Sequence, residues 1–268
     1  KPVALLASLP ESMPEQTAQR LMSEGVLPLN GLEAGLDALA ALYGVRIAAD
    51  PARAIVLPIG SADNIMLDEA ASKSALAASG VRVPRHAVAT SPDEAACLSE
   101  ALLPVALKAR GVAHKSDAGG VTLGLTTPEA VVTAAAQMDC GSYHMEEMVT
   151  DGVAELLVAI IADPAHGYVL TIGAGGVLTE LWQDTQHLLV PATEAEVHAA
   201  LDRLRIAPLL DGYRGAPAAD RAAVVEAILA VQDYAIAQDG RVAEVEVNPL
   251  IVTATRAVAA DALIRGDL

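Results

Sequence analysis

The sequence predicts an α/β protein in which α+β lobes follow a short strand–helix–strand–helix segment. Three observations indicate this class. Short apolar runs alternate with helical patterns, many neighbouring strands follow one another like hairpins, and hydrophobic residues make up 53% of the 268 residues. A chain of this length can bury a sizeable core without disulfides. Because phenylalanine is absent, leucine, valine, isoleucine and alanine must fill that core.

The first sixty residues carry the pattern of at most half a doubly wound sheet. Two short apolar runs predict strands, and a predicted helix follows each strand. Gly25 closes the first helix and Gly44 closes the second. Residues 45–65 show little periodicity and predict a linker, with a domain boundary near Gly60. The predicted strands are 3–7 and 26–29, and the predicted helices are 14–23 and 32–42.

From residue 61 onward, polar residues that can cap a helix N-terminus mark the predicted helix starts. These caps are Asp68, Ser91, Thr127, Asp220, and Thr193 with Glu196 as a capping box. The predicted helices are 69–79, 92–103, 128–138, 194–205 and 221–238. The predicted strands are 81–89, 105–109, 143–148, 154–162, 168–172, 177–181, 242–253 and 257–264.

Composition narrows the function classes. A net charge of −17 argues against nucleic acid and anionic membranes as main partners, because both require a basic surface. The longest apolar run, Leu156–Ala162, is stopped by Asp163 and is too short to span a membrane. Cys97 and Cys140 have no metal-binding spacing, so a reduced, cytoplasmic setting is expected. The sequence opens at Lys1, and we expect it to be part of a longer polypeptide.

The stretch Val105–Leu125 reads as a strand, a polar glycine-rich loop and a second strand. The first strand carries Lys108 among apolar residues. Glycines expose backbone N–H groups to a ligand, and a lysine beside them can neutralise phosphate oxygens. A phosphate-binding loop and a charged hairpin turn explain this stretch equally well. The loop contains His114, Lys115, Ser116, Asp117, Gly119 and Gly120.

Familiar nucleotide motifs are absent or incomplete. No Walker P-loop occurs. The segment Gly173–Leu178 begins like a dinucleotide-binding fingerprint, but its sixth residue is leucine and a strand pattern follows. This segment either covers a phosphate or makes a tight turn between strands.

A strand near the C-terminus predicts a metal site. Alternation places Glu244, Glu246 and Asn248 on one face. If Ala254–Thr255 form a two-residue turn, paired residue numbers sum to 509 and Asn248 faces Asp261. Like charges on one face repel unless a cation lies between them, and oxygen ligands with substrate phosphates suit Mg²⁺. We therefore favour a metal site over an exposed polar strand face.

Other polar residues leave two interpretations open. Of Glu146 and Glu147, one could face a ligand and the other solvent, or both could be solvated. Glu155 could orient a ribose hydroxyl or mark a strand edge, Arg214 could bind an anion or lie on the surface, and Asp184 is expected at the surface. Five histidines without metal-binding spacing are expected to be structural: His86, His144, His166, His187 and His198.

Together these residues resemble a known family. From about Ile65 to Leu263 the chain is similar to the ATP-grasp domain of NDP-forming (ADP-forming) acyl-CoA synthetases, relatives of the succinyl-CoA synthetase β chain. The residues before it resemble the tail of a flavodoxin-like CoA-ligase subdomain. The resemblance implies a two-lobed ATP-grasp fold over 61–268, with lobes of about 66–148 and 149–268. The motifs that carry it are ALKARGVAHKSDAGGV, MEEMVTDGVAEL, ADPAHGYVLTIGAGGV, PLLDGYRG, and EVEVNPLIV followed by AVAADA.

The resemblance also implies roles for single residues. Lys108 would contact nucleotide phosphates, Met145–Met148 would form the hinge that holds adenine, and Glu155 would bind ribose. His114 matches a histidine implicated in passing phosphate, a task that suits a neutral imidazole. Further nucleotide contacts would come from Lys115, Gly119, Gly120, Glu146 and Glu147. Asn248, Asp261 and Glu246 would hold Mg²⁺.

The implied activity is that of an acid–thiol ligase. In the family's reaction a carboxylic acid, CoA and ATP give acyl-CoA, ADP and phosphate through an acyl phosphate. The CoA-binding Rossmann domain and its phosphohistidine loop are not in this chain. We therefore expect it to bind ATP or ADP with Mg²⁺ without making acyl-CoA alone, and a homo-oligomer remains open. The alternatives are a nucleotide-binding regulatory module of a protein acetyltransferase fusion and a different ATP-grasp ligase, which the HKSDAGGV motif disfavours.

Two positions depart from the family pattern. Many members carry arginine four residues after the aspartate that matches Asp184, and this chain has Leu188. The metal strand usually reads Asp-Ile-Asn-Pro, and here it begins with Glu246. The first change would weaken phosphate handling, whereas the second keeps a carboxylate.

Overall fold

The computed structural model describes residues 3–44, 56–58, 65–110, 120–176 and 183–267. The chain divides into two compact units, residues 1–53 and 54–268. The predicted boundary near Gly60 and the lobe limits remain predictions. Within the described residues, no helix is both long enough and apolar enough to cross a membrane.

The first unit has the predicted strand–helix–strand–helix order. Its two strands pair in parallel, which requires a crossover connection of the kind that the first helix provides. Gly35 lies so close to Leu6 and Leu29 that any side chain there would press on both, so the second helix packs tightly on this sheet. The elements are β1 (Val3–Ala7), α1 (Glu15–Ser23), β2 (Val26–Asn30) and α2 (Leu32–Gly44).

The second unit contains a small antiparallel sheet that includes the Lys108 strand. Two helices, α4 (Pro92–Ser99) and α5 (Pro128–Gln137), belong to the same region, and Val131 of α5 is fully buried in a core with Leu107 and Met145. Among the described residues the strand order is β4-β7-β5-β6. The strands are β4 (His86–Ala89), β5 (Val105–Ala109), β6 (Val121–Leu125) and β7 (Tyr143–Glu147).

A larger antiparallel sheet forms the rest of the second unit. Its strands in the described part of the chain are β3 (Ile65–Met66), β8 (Ala154–Asp163), β9 (Gly167–Ala174), β10 (Thr185–Leu189), β11 (Val242–Val252), β12 (Ala257–Ala259) and β13 (Ala262–Gly266). The order is β10-β9-β8-β11-β13-β3, and β12 also pairs with β11. The helices are α3 (Glu69–Ala78), α6 (Glu194–Arg203), α7 (Ala207–Leu210) and α8 (Arg221–Ala237).

The predicted capping residues lie at the N-termini of the helices. The Asp68 carboxylate accepts a hydrogen bond from the Ala71 N–H at 2.8 Å, and Thr193 and Glu196 form the reciprocal capping box. Ser91, Thr127 and Asp220 cap α4, α5 and α8 in the same way. These local hydrogen bonds explain why the helix starts could be predicted within one or two residues.

The register of the C-terminal strands agrees with the prediction. Val247 lies opposite Ala262 in β13, and Leu250 lies opposite Ala259 in β12, so both pairs sum to 509. The turn is Ala254–Thr255, closed by a 2.8 Å hydrogen bond from the backbone N–H of Thr253 to the carbonyl of Arg256. The sequence prediction of one strand over 257–264 was wrong, because the chain breaks at residues 260–261 into two strands.

Other element boundaries also differ. The strand predicted from residue 81 begins at His86, and the helix predicted to residue 103 ends at Ser99. The edge strand β10 was not predicted, and the strand predicted over 177–181 lies outside the described residues. The residues of β10 alternate only weakly between buried and exposed, so the sequence carries no clear strand pattern there.

Candidate functional site

A cluster of buried charged side chains joins the small sheet to α3. The ammonium nitrogen of Lys108 lies 2.8 Å from Oε2 of Glu146 and also contacts Oε1 of Glu69. The Lys108 side chain is 12% exposed and that of Glu146 4%. Charges are rarely buried this deeply unless they are paired, and here each has partners of opposite sign.

Lys73 connects this cluster to the larger sheet. Its ammonium contacts Oε1 of Glu146, lies 2.7 Å from Oε1 of Glu69, and donates a hydrogen bond to the carbonyl oxygen of Ala260 at 3.1 Å. Ala260 lies between β12 and β13 and immediately precedes Asp261. One buried cation therefore joins α3, β7 and the break before Asp261.

Simple periodicity explains why these side chains meet. Glu69 and Lys73 are four residues apart on α3 and lie on one helix face. On the sheet, Ala106 lies opposite Glu146 and Lys108 opposite His144, so Lys108 and Glu146 are diagonal neighbours on one face. The helix thus presents one carboxylate and one ammonium to the strand pair.

Two histidines complete the cluster. Nε2 of His144 lies 2.8 Å from Oε1 of Glu146, and both side chains are buried. The ring of His144 stacks on that of His86, with centroids 5.2 Å apart. His144, which the sequence predicts to be structural, contacts the central carboxylate of the cluster.

The charges shift one another's pKa values. Burial alone would raise the pKa of Glu146, but the hydrogen bond with His144 and the charges of Lys108 and Lys73 hold it far below its usual range. Burial would likewise raise the pKa of Glu69, and the same two lysines lower it instead. Burial would lower the pKa of Lys108, but Glu146 and Glu69 outweigh burial and raise it. All three side chains are therefore ionised at neutral pH.

Glu146 and Glu147 face opposite ways. Glu146 is buried in the charge cluster, whereas Glu147 pairs at 2.5 Å with Arg85, whose side chain is 66% exposed. Of the two interpretations left open for this pair, the one in which both glutamates are solvated does not fit, because Glu146 is buried. The inward one meets lysines of the protein itself.

The predicted metal ligands lie beside one another at the break between β12 and β13. The backbone N–H of Asn248 donates to the carbonyl of Asp261 at 3.3 Å, and Glu246 lies two residues earlier on the same face of β11. Asp261 keeps contact with solvent, but desolvation by the surrounding protein and the charge of Glu69 raise its pKa. The charge of an added cation would stabilise the ionised form of Asp261 against both effects.

The oxygen-rich chemistry of this set fits Mg²⁺. No group of three or more His, Cys, Asp or Glu side chains in the described ranges could hold a metal ion. Mg²⁺ does not require such a cage, since proteins commonly hold it through one or two carboxylates with phosphates and water. The amide oxygen of Asn248 and the carboxylate of Asp261 meet that need.

The glycine segment after β9 orients Asn248. The backbone N–H of Gly176 donates to Oδ1 of Asn248 at 3.0 Å. Gly176 has a φ of +81°, a left-handed backbone conformation that favours glycine. A Cβ at Gly175 would collide with the backbone of Leu156. Glycine is therefore required for the close approach to β8, and the segment supports the metal-side residues.

The remaining predicted nucleotide residues are only partly described. His114, Lys115 and Gly119 lie outside the described residues, and the carbonyl of Gly120 accepts a 2.7 Å hydrogen bond from the Ala109 N–H. Met145 is fully buried in the small-sheet core, so only its backbone could meet a ligand. The structure places the sulfur of Met148 2.9 Å from the N–H of Gly124. Glu155 is exposed on β8.

Three further residues can now be placed. The expectation that Asp184 lies at the surface was wrong: it is buried, and its carboxylate accepts hydrogen bonds from the backbone N–H groups of Arg205 and Ile206 at 2.9 and 3.1 Å. Arg214 is exposed with a φ of +50°, and its guanidinium lies 5.3 Å from the ring centre of Tyr213. Leu188 packs against the core of the larger sheet.

Comparisons with known proteins agree with this architecture. A family model described as an ATP-grasp domain matches residues 60–265. A trans-feruloyl-CoA synthase from an unknown prokaryotic organism is 34% identical over 212 residues, which are 74% of this chain and 30% of that protein. The β subunit of ADP-forming acetate–CoA ligase II of Pyrococcus furiosus is 28% identical over 195 residues, covering 68% of this chain and 82% of the subunit.

A solved structure shows the same fold. The acetyl-coenzyme A synthetase 1 of Ca. Korarchaeum cryptofilum, in complex with coenzyme A and Ca-AMPCP, matches with a TM-score of 0.67 and 26% identity over 75% of this chain and 92% of that one. A second structure of that protein, with coenzyme A and Mg-AMPPCP, has a TM-score of 0.63 at 26% identity, covering 75% of this chain and 92% of that one. The chain therefore belongs to the ATP-grasp domain family through residues 60–265, with homologues among the β subunits of ADP-forming acid–CoA ligases.

Proposed function

We propose that this chain is the nucleotide-binding and phosphoryl-transfer part of an ADP-forming acyl-CoA synthetase. The observation that carries the proposal is the arrangement around Lys73. Through it, the partners of Lys108 are connected to the backbone beside Asp261. Lys108, which could contact phosphate, and Asp261, which could ligate a metal, are thus linked by one network of contacts. A magnesium nucleotide needs both kinds of group in one site.

Each predicted residue has a place in this proposal. Lys108 contacts the phosphates, the hinge Met145–Met148 holds adenine through backbone groups, and Glu155 binds ribose. His114 accepts the phosphoryl group. The loop residues Lys115, Gly119 and Gly120 add phosphate contacts, Glu146 and Glu147 flank the nucleotide, and Asn248, Asp261 and Glu246 hold Mg²⁺.

Positioning and charge stabilisation account for the chemistry. Bound Mg²⁺ would neutralise negative charge on the phosphates. Lys108 would stabilise the charge on the moving phosphoryl group, and the buried strand pair would keep water away from it. His114 would offer a neutral ring nitrogen to that group. The full reaction consumes a carboxylic acid, CoA and ATP and yields acyl-CoA, ADP and phosphate.

The chain spans 30% of the length of the trans-feruloyl-CoA synthase and 82% of the acetate–CoA ligase β subunit. The proposal therefore assigns CoA binding to domains outside this chain, with an acyl phosphate or carboxylic acid as the second reactant. It also places the protein in the cytoplasm, since Cys97 and Cys140 form no disulfide.

Calorimetric titration of Mg·ADP and Mg·ATP into the chain tests the proposal. The parent should bind one nucleotide per chain, and Asn248→Ala should bind it about 10- to 100-fold more weakly because a metal ligand is lost. Asn30→Ala, in the separate first unit, serves as the control and should match the parent. Absence of binding by the parent would refute the proposal, and equal binding by Asn248→Ala would refute the metal assignment.

A further inference from the structure

Lys73 contacts the same two carboxylates as Lys108. Both ammonium groups meet Oε1 of Glu69, and they share Glu146, with Lys73 on Oε1 and Lys108 on Oε2. Lys73 is the more deeply buried of the two, with 4% of its side chain exposed against 12%. The shallower lysine is the one that the proposed function assigns to phosphate.

The charges of these four side chains balance only while both lysines stay in place. Two ammonium groups face two carboxylates. If Lys108 turns toward a phosphate, Lys73 is the lysine of the described residues that stays in contact with both Glu69 and Glu146. A buried charge without compensation is strongly destabilising. Two buried carboxylates with no cation beside them would therefore oppose the movement of Lys108 toward a phosphate.

We propose that Lys73 is a positioning residue that compensates Glu69 and Glu146 while Lys108 engages a nucleotide phosphate. The inference rests on the proposed function and deepens it. His144 also contacts Glu146, since its Nε2 lies 2.8 Å from Oε1 of that carboxylate. The hydrogen bond from Lys73 to the Ala260 carbonyl also keeps the segment before Asp261 attached to the cluster.

This role predicts opposite effects for two substitutions in one cluster. Lys73→Met removes the lysine that stays on both carboxylates when Lys108 moves, so Mg·ADP binding should weaken by about tenfold or more. Glu69→Gln leaves Lys73 and Glu146 as a balanced pair once Lys108 departs, so binding should tighten. The double variant should return close to the parent affinity. A role in folding alone would weaken binding in all three.

The experiment is calorimetric titration of Mg·ADP into the full chain and these variants at pH 7, in 0.05 and 0.5 M NaCl. Arg221→Met and Asp202→Asn are matched controls, since they alter an ion pair of 2.6 Å whose aspartate is 64% exposed. The controls should stay near the parent at high salt. Because salt screens exposed charges more than buried ones, the cluster effects should persist at 0.5 M.

The outcomes separate the two proposals. If the parent binds no nucleotide, the proposed function fails and takes this inference with it. If the parent binds and Glu69→Gln binds no more tightly than Asp202→Asn, the inference is overturned while the proposed function stands. Circular dichroism checks the fold of each variant, and Glu69→Gln alone decides the matter if Lys73→Met does not fold.

Discussion

Replacing Glu146 with glutamine removes the carboxylate that both buried lysines share. Its two oxygens contact Lys73, Lys108 and His144. Loss of one partner of a buried ion pair costs about 3–5 kcal/mol, and we expect the lower end, about 3 kcal/mol, because Glu69 still faces both lysines. For a unit of this size, about 2–4 °C per kcal/mol gives a fall in melting temperature of about 6–12 °C.

The neighbouring Glu147→Gln provides the matched control. Glu147 pairs with an arginine side chain that is 66% exposed, so its loss should change the free energy of unfolding by less than about 1 kcal/mol. Urea denaturation at pH 7 measures both variants. A cost below about 1 kcal/mol for Glu146→Gln, or one equal to that of Glu147→Gln, would show that the cluster is solvated and would refute the reasoning.

Acid adds a second check on Glu146. Because the pKa of Glu146 is lowered from 4.5 by folding, its contribution is complete above about pH 4.5 and disappears as the pH falls toward the folded-state pKa. The difference in stability between the parent and Glu146→Gln should therefore be full at pH 7 and narrow below about pH 4.5. A difference that widens on acidification would contradict the assigned ionisation.

Three further substitutions test separate parts of the structure by urea denaturation. Gly175→Ala should destabilise the fold more than Gly141→Ala, because a Cβ at residue 175 would collide with the backbone of Leu156, whereas a Cβ at residue 141 meets nothing within 4 Å. Only Gly175→Ala should also weaken Mg·ADP binding, and equal destabilisation by both would contradict the tight fit at residue 175. Asp184→Asn should lower the free energy of unfolding by about 1–3 kcal/mol, since an amide N–H would face a backbone N–H. Its nucleotide affinity should not change. Tyr168→Phe should cost about 1 kcal/mol by removing the 2.7 Å hydrogen bond from the hydroxyl to the Val242 carbonyl; no cost would mean that water replaces it.

Local features were readable from the sequence. Asp68 and the pair Thr193 and Glu196 cap helices because the needed contacts lie within three residues. The pairing of Asn248 with Asp261 followed from one assumed turn, since every pair in a hairpin inherits the register of its turn.

Features that depend on long-range packing were not predictable. The pair Glu69 and Lys73 looks like an ordinary ion pair on a helix surface, and only the tertiary fold buries it against Glu146. His144 has no distinctive spacing, and its contact with Glu146 arises because both lie on the same face of one strand, in a buried setting that only the fold creates. Asp184 seemed a surface residue because its partners are backbone groups about twenty residues away.

A crystal structure of the chain with Mg·ADP tests most directly whether the two sides form one site. The account predicts a phosphate oxygen within hydrogen-bond distance of Lys108, with the metal on Asn248 and Asp261. It also predicts that Lys73 keeps both Glu69 and Glu146. A nucleotide bound elsewhere, or a metal that touches neither Asn248 nor Asp261, would contradict it.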